Sequence, residues 1–248
     1  MEIDRMAPTR RPEGARAGAQ KWRHLLFAHW DVPAAEIAPL LPRGLSVDTF
    51  EGRAFVGLVP FTMRGVRPIW APPLPGISNF HEVNVRTYVH REGKDPGVFF
   101  LSLDAASSLA VRVARAMWRL PYFRARMTMT HDGDAAGEAI DYASERLWPD
   151  PVPATLRARW RVGRSLGHAA PGTLEHFLVE RYILYTRKPE GPLLAGRVHH
   201  APYEIREASL DRLEDTLVAA SGLRAVGAPS SLLASPGVDV EIYPLRAV

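Results

Sequence analysis

One stretch constrains the fold more than any other, the eleven residues NFHEVNVRTYV from Asn79 to Val89. Its residue types alternate, and successive side chains of an extended strand point to opposite faces. One face is mostly β-branched and apolar, which is typical of a core face. The other face carries aromatic, acidic, amide and basic groups: Phe80, Glu82, Asn84, Arg86 and Tyr88. The stretch therefore predicts a regular strand with one unusually polar face.

The polar face of this strand has two interpretations. If it faces water, it is a solvated sheet surface on which Glu82 and Arg86 pair for a fraction of a kcal/mol. If it faces a barrel interior or a cleft, Glu82, Asn84 and Arg86 are ready-made ligands for a small polar molecule. The sequence leaves both interpretations open.

Composition excludes several classes of protein. The 248 residues suffice for one large domain with a substantial core, and 46% hydrophobic with 23% charged residues is typical of a soluble globular chain. The absence of cysteine excludes disulfides, thiol catalysis and thiolate metal sites. No apolar run is long enough to span a bilayer, and there is no secretory signal. We therefore expect a cytoplasmic protein without a membrane partner.

The basic character of the chain does not indicate nucleic-acid binding. The net charge is +4 and the pI about 9.6, but the arginines are spread along the chain. The basic residues include only three lysines, Lys21, Lys94 and Lys188. A Schiff-base lysine must be desolvated or lie beside another cation. Two of these lysines lie in turn-like segments and Lys21 borders a polar tail, so none is a credible buried amine.

The chain is expected to form a flexible tail, residues 1–20, followed by a single domain, residues 21–248. A helix is predicted over Ala105–Arg119, with Asp104 as its cap and a buried stripe that includes Leu109. A second amphipathic helix is predicted over Ser209–Ala220, and short helices are expected after Asp31 and Thr173.

Strand-like runs outnumber these helices. They include a hairpin of LSVDTF and RAFVGLVPF, then VFFLSLD, YFRARMTMTH, AIDYASERLW, TLRARWRV, RYILYT, LLAGRVHHAPYEI and VDVEIYPL. Many strands with few helices predict an α+β domain built on an antiparallel, barrel-like sheet.

The sequence does not support three common functional motifs. His81-Glu82 begins an HExxH zinc motif, but Val85 stands where the second histidine belongs and the segment alternates as a strand. The GxSxG pattern at 163–167 is followed closely by Pro171-Gly172, which leaves no room for the required helix. No glycine-rich phosphate loop is present.

The histidines offer no clear metal site. His199 and His200 would point to opposite faces of a strand, so they do not combine simply on one ion. We therefore predict neither a metal nor a cofactor. His29 and His200 remain candidates for a histidine pair in a pocket.

Several phrases together resemble a known family. They are FAHWDVP, LLPRGLSVDTFEGRAFVGLVPFTMRGVRP, EVNVRTYV, FFLSLDA, LPYFRARM, FLVERYILYT and GRVHHAPYEI. The chain resembles the YqjF-like family, domain-of-unknown-function family 2071, and is more distantly similar to acetoacetate decarboxylase. The resemblance implies an acetoacetate-decarboxylase-like antiparallel β-barrel or cone with a few short flanking helices, and an interior pocket for a small oxo acid.

The resemblance also bears on the chemistry. A strand like EVNV offers a glutamate in acetoacetate decarboxylases, and Glu82 matches it here. Their Schiff-base lysine follows a proline in a phrase like YPKK, whereas the phrase here is LPYF and Tyr122 stands at that place. The chain is therefore not expected to decarboxylate through an imine.

These observations predict a protein that binds a small carboxylate or oxo-compound, as a lyase-, hydratase- or isomerase-type enzyme without the lysine. Glu82, Tyr122 and His200 are the candidate catalytic residues. The candidate substrate-binding residues are Asn84, Arg86, Arg124 and His29. A non-catalytic ligand-binding protein and a purely structural barrel are the alternatives, and a homo-oligomer is compatible with the sequence.

Overall fold

The computed structural model describes residues 3–118, 120–133, 137–149, 153–187, 191–224 and 227–248. Most of them belong to strands of one continuous sheet. The strands are β1 Gly18–Val32, β2 Ser46–Val47, β3 Ala54–Pro68, β4 Phe80–Arg91, β5 Lys94–Ala105, β6 Tyr122–His131, β7 Ala139–Trp148, β8 Thr155–His168, β9 Ile183–Arg187, β10 Leu193–His199, β11 Glu204–Asp215, β12 Ser231–Ile242 and β13 Arg246–Ala247.

The helices in the described residues are few and short. They are α1 Ala34–Ile37, α2 Ser108–Val113, α3 Leu174–Val179 and α4 Leu217–Ala220, with 3₁₀ turns at Ala7–Thr9 and Ala38–Leu40 and a π-helical turn at Ala114–Trp118. Not one helix in the described part of the chain has the length and apolar character needed to cross a bilayer.

The sheet closes on itself twice. Nine strands form a large ring in the order β5-β6-β7-β8-β11-β12-β1-β3-β4, which closes because β4 also pairs with β5. Seven strands form a small ring, because β9 pairs with β5 and β10 pairs with both β9 and β12. The two rings share β12, β1, β3, β4 and β5. Most pairs are antiparallel, as predicted, but β5 runs parallel to β6 and to β9.

Each shared strand faces a different core on its two sides. On β4, Phe80 and Tyr88 join the apolar cluster that fills the small ring together with α3. Val83 and Val85 join the cluster that fills the large ring. The alternation predicted for this strand is therefore confirmed, and both of its faces are buried.

The predicted helix at Ala105–Arg119 begins later and is shorter. Its cap is Ser107, whose hydroxyl accepts a hydrogen bond from the Ala110 backbone N–H, and not Asp104. Asp104 ends buried in β5, where it is ion-paired with Arg146. Because the start shifts, Leu109 is exposed while Val111 and Ala114 are buried. The Asp104 cap and the Leu109 stripe were therefore wrong.

Asp31 was also wrong as a cap, since it belongs to β1 and α1 begins after Pro33 without a side-chain cap. Thr173 is confirmed as a cap: its hydroxyl accepts from the His176 backbone N–H at 3.3 Å.

The predicted helix Ser209–Ala220 is mostly strand. β11 runs to Asp215, and only Leu217–Ala220 is helical. Leu210 and Leu213 pack on the same core although they are three residues apart, because the register against β8 shifts between Leu210 and Arg212. A bulged strand thus imitates helical spacing. The run LLAGRVHHAPYEI is likewise two strands, β10 and β11, with a break at 200–203.

The N-terminal segment has defined contacts where the sequence predicts a loose tail. β1 already begins at Gly18, inside the predicted tail. Arg5 is ion-paired with buried Asp48, and the carbonyl of Pro8 accepts a hydrogen bond from Arg197 at 2.9 Å. These contacts hold the described part of the segment against the sheet.

Candidate functional site

The polar face of β4 is enclosed in the small ring. Glu82 is 2% exposed, Asn84 5% and Arg86 9%. Their neighbours on the same face, Phe80 and Tyr88, belong to the small-ring core. The interpretation of this face as a solvated sheet surface was therefore wrong. An interior face that carries an acid, an amide and a base is suited to binding a small polar molecule.

Glu82 is a buried carboxyl with one side-chain hydrogen-bond donor. The Tyr122 hydroxyl donates to Glu82 Oε2 at 2.8 Å, because β6 starts beside the end of β5 and brings Tyr122 over β4. Burial raises the pKa of Glu82 to about 8. The hydrogen bond from Tyr122 lowers this pKa and the charge of Asp104 raises it, and both effects are smaller than that of burial. Glu82 is therefore mostly protonated at neutral pH and can act as an acid there.

Arg86 is a buried cation without an acidic partner. Its Nη2 donates to the Leu178 carbonyl at 2.9 Å and approaches the Tyr88 hydroxyl at 3.3 Å, while Nε has no partner. Across the described ranges, no carboxylate of the chain lies within the 4.0 Å of an ion pair with Arg86. A buried charge is unfavourable unless it is compensated, so this guanidinium is available to an anionic ligand.

His200 supplies a neutral base to the same interior. It follows β10, and its Nδ1 lies 2.7 Å from the Ala201 carbonyl. A carbonyl only accepts, so Nδ1 carries the proton and Nε2 carries a lone pair; Nε2 is buried without a partner. Burial lowers the pKa of His200 to about 4, and the charges of His199 and Arg86 act in the same direction. The ring is therefore neutral at pH 7.

His29 supports Arg86 through Tyr88. The Tyr88 hydroxyl donates to the Leu178 carbonyl at 2.8 Å, so His29 Nε2, at 2.6 Å from that hydroxyl, acts as a donor to it. Gly57 makes room for both groups, because a Cβ there would lie 2.9 Å from the His29 ring and 3.5 Å from Arg86 Cγ. His29 is therefore connected to Arg86 through the Tyr88 hydroxyl.

Aromatic rings connect these polar groups. The His200 ring stacks on Tyr182 at 4.5 Å between centroids and contacts Tyr203 at 4.8 Å. Tyr203 contacts Phe27, over which the Arg86 guanidinium lies at 5.5 Å. Among the described residues, the buried polar atoms of this region without a protein partner include Trp22 Nε1, His29 Nδ1, Asn84 Oδ1, Arg86 Nε and His200 Nε2. An unpaired buried polar group costs about 1–3 kcal/mol, so this group of atoms is suited to a polar ligand.

Arg124 lies two strands from Glu82, in register with it through Ala105. It is exposed, and the register of β6 shifts directly after it. Its side chain lines a surface cavity of about 210 Å³ together with α2 residues and Trp148. A larger cavity of about 380 Å³ is bordered by Arg43, Arg91 and Arg187, and Glu82 does not line it.

The lysines take no part in this site as far as the structure describes them. Lys21 and Lys94 are exposed, and Lys188 lies outside the described residues.

Sequence analysis missed Trp22, Tyr182 and Tyr203. Trp22 packs on the same core as Leu25 because the register of β1 shifts between Arg23 and Ala28, so simple alternation would have placed it on the other face. Tyr182 and Tyr203 stand just outside β9 and β11, where alternation gives no signal.

Comparison with solved structures defines the class of fold. An enduracididine biosynthesis enzyme, MppR, complexed with pyruvate, superposes with a TM-score of 0.65 at 14% identity over 94% of this chain and 91% of that chain. An acetoacetate decarboxylase-like enzyme from Sphingomonas wittichii RW1 gives a TM-score of 0.65 at 13% identity over 95% of this chain and 94% of that chain. The fold is therefore acetoacetate-decarboxylase-like.

The sequence defines the family. The model of domain-of-unknown-function family 2071, described as an uncharacterized conserved protein, matches residues 19–239. The uncharacterized protein YqjF of Bacillus subtilis (strain 168) is 36% identical over 235 residues, which cover 95% of this chain and 94% of that protein. The chain belongs to domain-of-unknown-function family 2071, as the sequence phrases predicted.

Proposed function

We propose that the interior of the small ring binds a small carboxylate that carries an oxo group, and that the chain acts on it as a lyase, hydratase or isomerase at the carbon beside the carbonyl. The observation that carries this proposal is Arg86, a buried guanidinium with no acidic partner among the described residues. A guanidinium holds both oxygens of a carboxylate, and the ligand would supply the missing countercharge.

The neighbouring groups suit proton transfer in opposite directions. Glu82, with a pKa raised to about 8, holds a proton to give at neutral pH. His200, with a pKa lowered to about 4, holds a lone pair on Nε2 to take one. Two titratable groups whose pKa values are driven apart by their surroundings are the pattern expected of an acid and a base.

Tyr122 completes the proposed set. Its hydroxyl donates to Glu82, and burial together with the Glu82 charge raises its pKa well above the usual range. It therefore stays protonated, and on substrate binding its single proton would turn from Glu82 to an oxygen that gains negative charge, such as an enolate. Asn84 and His29 would help to position the substrate, directly in the first case and through Tyr88 in the second. Arg124 is left out, because it is exposed.

The comparisons support the substrate class. MppR is described as complexed with pyruvate, a 2-oxo acid, and its fold is similar to that of this chain. An imine mechanism has no support among the described residues, since Lys21 and Lys94 are exposed. The proposed chemistry therefore uses acid, base and hydrogen-bonding groups alone.

The test begins with thermal unfolding of the chain against pyruvate and a panel of other 2-oxo, 3-oxo and hydroxy acids. A ligand at about 100 times its Kd adds roughly 2.7 kcal/mol, which is on the order of 5 to 10 °C in the midpoint. Compounds that bind are then assayed for turnover with wild type, Glu82→Gln and the surface control Glu145→Gln. We expect turnover to be lost only in Glu82→Gln. Binding without any turnover would favour a non-catalytic ligand-binding protein, and no binding across the panel would contradict the proposal.

A further inference from the structure

Three side chains from separate parts of the chain meet outside the site described above. His24 lies in β1, His131 ends β6, and Glu138 directly precedes β7. One ligand atom from each lies within 4.8 Å of the other two. In the described sheet, the hydrogen-bonded neighbours of β1 are β12 and β3, whereas β6 lies between β5 and β7. The three side chains therefore connect β1 to strands that are not its neighbours in the sheet.

The contacts within the group bring nitrogen and oxygen ligands together. The rings of His24 and His131 lie 4.5 Å apart at 37°, and His131 Nδ1 is 2.9 Å from Glu138 Oε1. Glu138 is 8% exposed, whereas His131 is exposed and His24 half-buried. The group therefore has a buried carboxylate on one side and access to solvent on the other.

His24 has an uncommon backbone conformation. Its φ is +53°, in the left-handed region, and the register of β1 against β3 shifts between Arg23 and Ala28. This local turn lets Trp22 and Leu25 pack on the same core although they are three residues apart. Asparagine or glycine would serve such a turn as well, so the bulge alone does not require an imidazole. Strained residues of this kind occur often at functional sites.

We propose that His24, His131 and Glu138 form a binding site for a divalent transition-metal ion of the zinc type. Two imidazoles and a carboxylate are a ligand set that such ions prefer, and solvent at the exposed side would complete the coordination. At metal–ligand distances near 2.1 Å, ligand atoms of a tetrahedral site lie about 3.4 Å apart. Atoms near the 4.8 Å limit would therefore approach by roughly an ångström, whereas His131 Nδ1 and Glu138 Oε1, at 2.9 Å, would separate slightly.

The ion would link β1 to the β6–β7 connection and so brace the large ring. His81, whose pKa is lowered by burial and by the charges of Arg64 and His24, lies nearby on the Val83 side of β4, opposite Glu82. The metal site and the proposed substrate site are therefore on different faces of the shared strands, and each can be tested without the other.

The experiment is a Zn²⁺ titration of the full chain, produced without a histidine tag and treated with chelator. We expect one equivalent to bind by calorimetry and the thermal midpoint to rise with Zn²⁺ until that equivalent is reached. Co²⁺ should give visible absorption bands in the same stoichiometry. His131→Gln, Glu138→Gln and His24→Asn should each weaken binding by more than about tenfold. Asparagine is chosen at position 24 because it tolerates the left-handed conformation.

The matched control is His199→Gln. His199 is also a partly exposed histidine beside a carboxylate, with Nδ1 3.8 Å from Glu241 Oε2. The His199→Gln variant should bind Zn²⁺ as wild type does. The proposal is overturned if wild type binds no stoichiometric Zn²⁺, if His24→Asn and His131→Gln bind it unchanged, or if His199→Gln loses it equally.

Discussion

Arg146 beside the large ring and Arg86 in the small ring have different partners, although Arg181 in the small ring is also ion-paired, with Asp48. Near the large ring, Asp104 is held by Arg146 through hydrogen bonds of 2.7, 2.8 and 3.1 Å, and the guanidinium lies 3.7 Å over the Phe123 ring. In the small ring, Arg86 has carbonyl and hydroxyl partners and no carboxylate among the described residues. The first arrangement is complete in the protein alone, and the second lacks a countercharge.

This difference separates a charge that is compensated within the protein from one that would be compensated by the proposed ligand. β4 faces both interiors, so the contrast arises from alternate residues of one strand: Val83 and Val85 pack in the large ring, while Glu82, Asn84 and Arg86 line the small one. Paired charges fix a fold, and buried unpaired groups with shifted pKa values are typical of sites that bind or react.

The largest expected effect comes from Glu82→Gln and depends on pH. The pKa of Glu82 is raised from 4.5 to about 8 in the folded chain, so its contribution to stability is fully present below pH 4.5 and is lost as the pH rises through 8. The loss amounts to about 5 kcal/mol. Urea unfolding at pH 5 and pH 8.5 should therefore show Glu82→Gln gaining several kcal/mol relative to wild type at the higher pH. Parallel curves for the two proteins would refute the buried, protonated carboxyl, and Glu145→Gln should follow wild type.

Arg146→Met should destabilise the fold by about 3–5 kcal/mol, because it leaves Asp104 buried without its partner. Arg86→Met should change the free energy of unfolding by less than about 1 kcal/mol, since it removes a charge that has no acidic partner in the described chain. Urea unfolding at neutral pH measures both. Equal losses in the two variants would mean that Arg146 and Arg86 do not differ in the way described.

His200→Gln should change how the stability of the fold depends on pH below neutrality. The pKa of His200 is lowered from 6.5 to about 4, so its contribution is present above pH 6.5 and is lost as the pH falls through 4. This loss is about 3 kcal/mol in wild type. The variant should lack it, which unfolding at pH 4 and pH 7 would measure, with His90→Gln as a control, since His90 is not among the groups that shift the pKa of His200. A wild-type slope in His200→Gln would contradict the neutral buried ring.

Tyr122→Phe should lower stability by about 1 kcal/mol, for the loss of one hydrogen bond. Because that bond lowers the pKa of Glu82, its removal should raise this pKa further. The midpoint of the pH-dependent stability change should then move to higher pH than in wild type. A downward movement would show that Tyr122 does not donate to Glu82.

Alternation predicted much of the fold, and its failures have physical causes. β4 was predicted because its residue types alternate over eleven positions, and β6, β7 and β8 were predicted from strand-like runs. β11 was predicted as a helix because Leu210 and Leu213 have helical spacing. In the structure, a bulge in the strand places both side chains on one face. Asp104 was predicted as a cap because its burial beside Arg146, 42 residues away, leaves no local signal.

The candidate site was predictable in its members but not in its surroundings. The shared face of Glu82, Asn84 and Arg86 follows from their spacing. That this face is enclosed depends on β9, β10 and α3, which close the small ring from distant parts of the chain. Arg124 shows the same limit, since the register shift after it is not visible in the sequence.

The central claim is that Arg86 holds a carboxylate inside the small ring, and calorimetric titration with pyruvate tests it most directly. Wild type and Arg126→Met, a change at an exposed surface ion pair, should bind pyruvate alike, while Arg86→Met should lose binding and neutral methyl pyruvate should bind wild type poorly. If Arg86→Met binds pyruvate as wild type does, the buried guanidinium is not the carboxylate site and the claim fails.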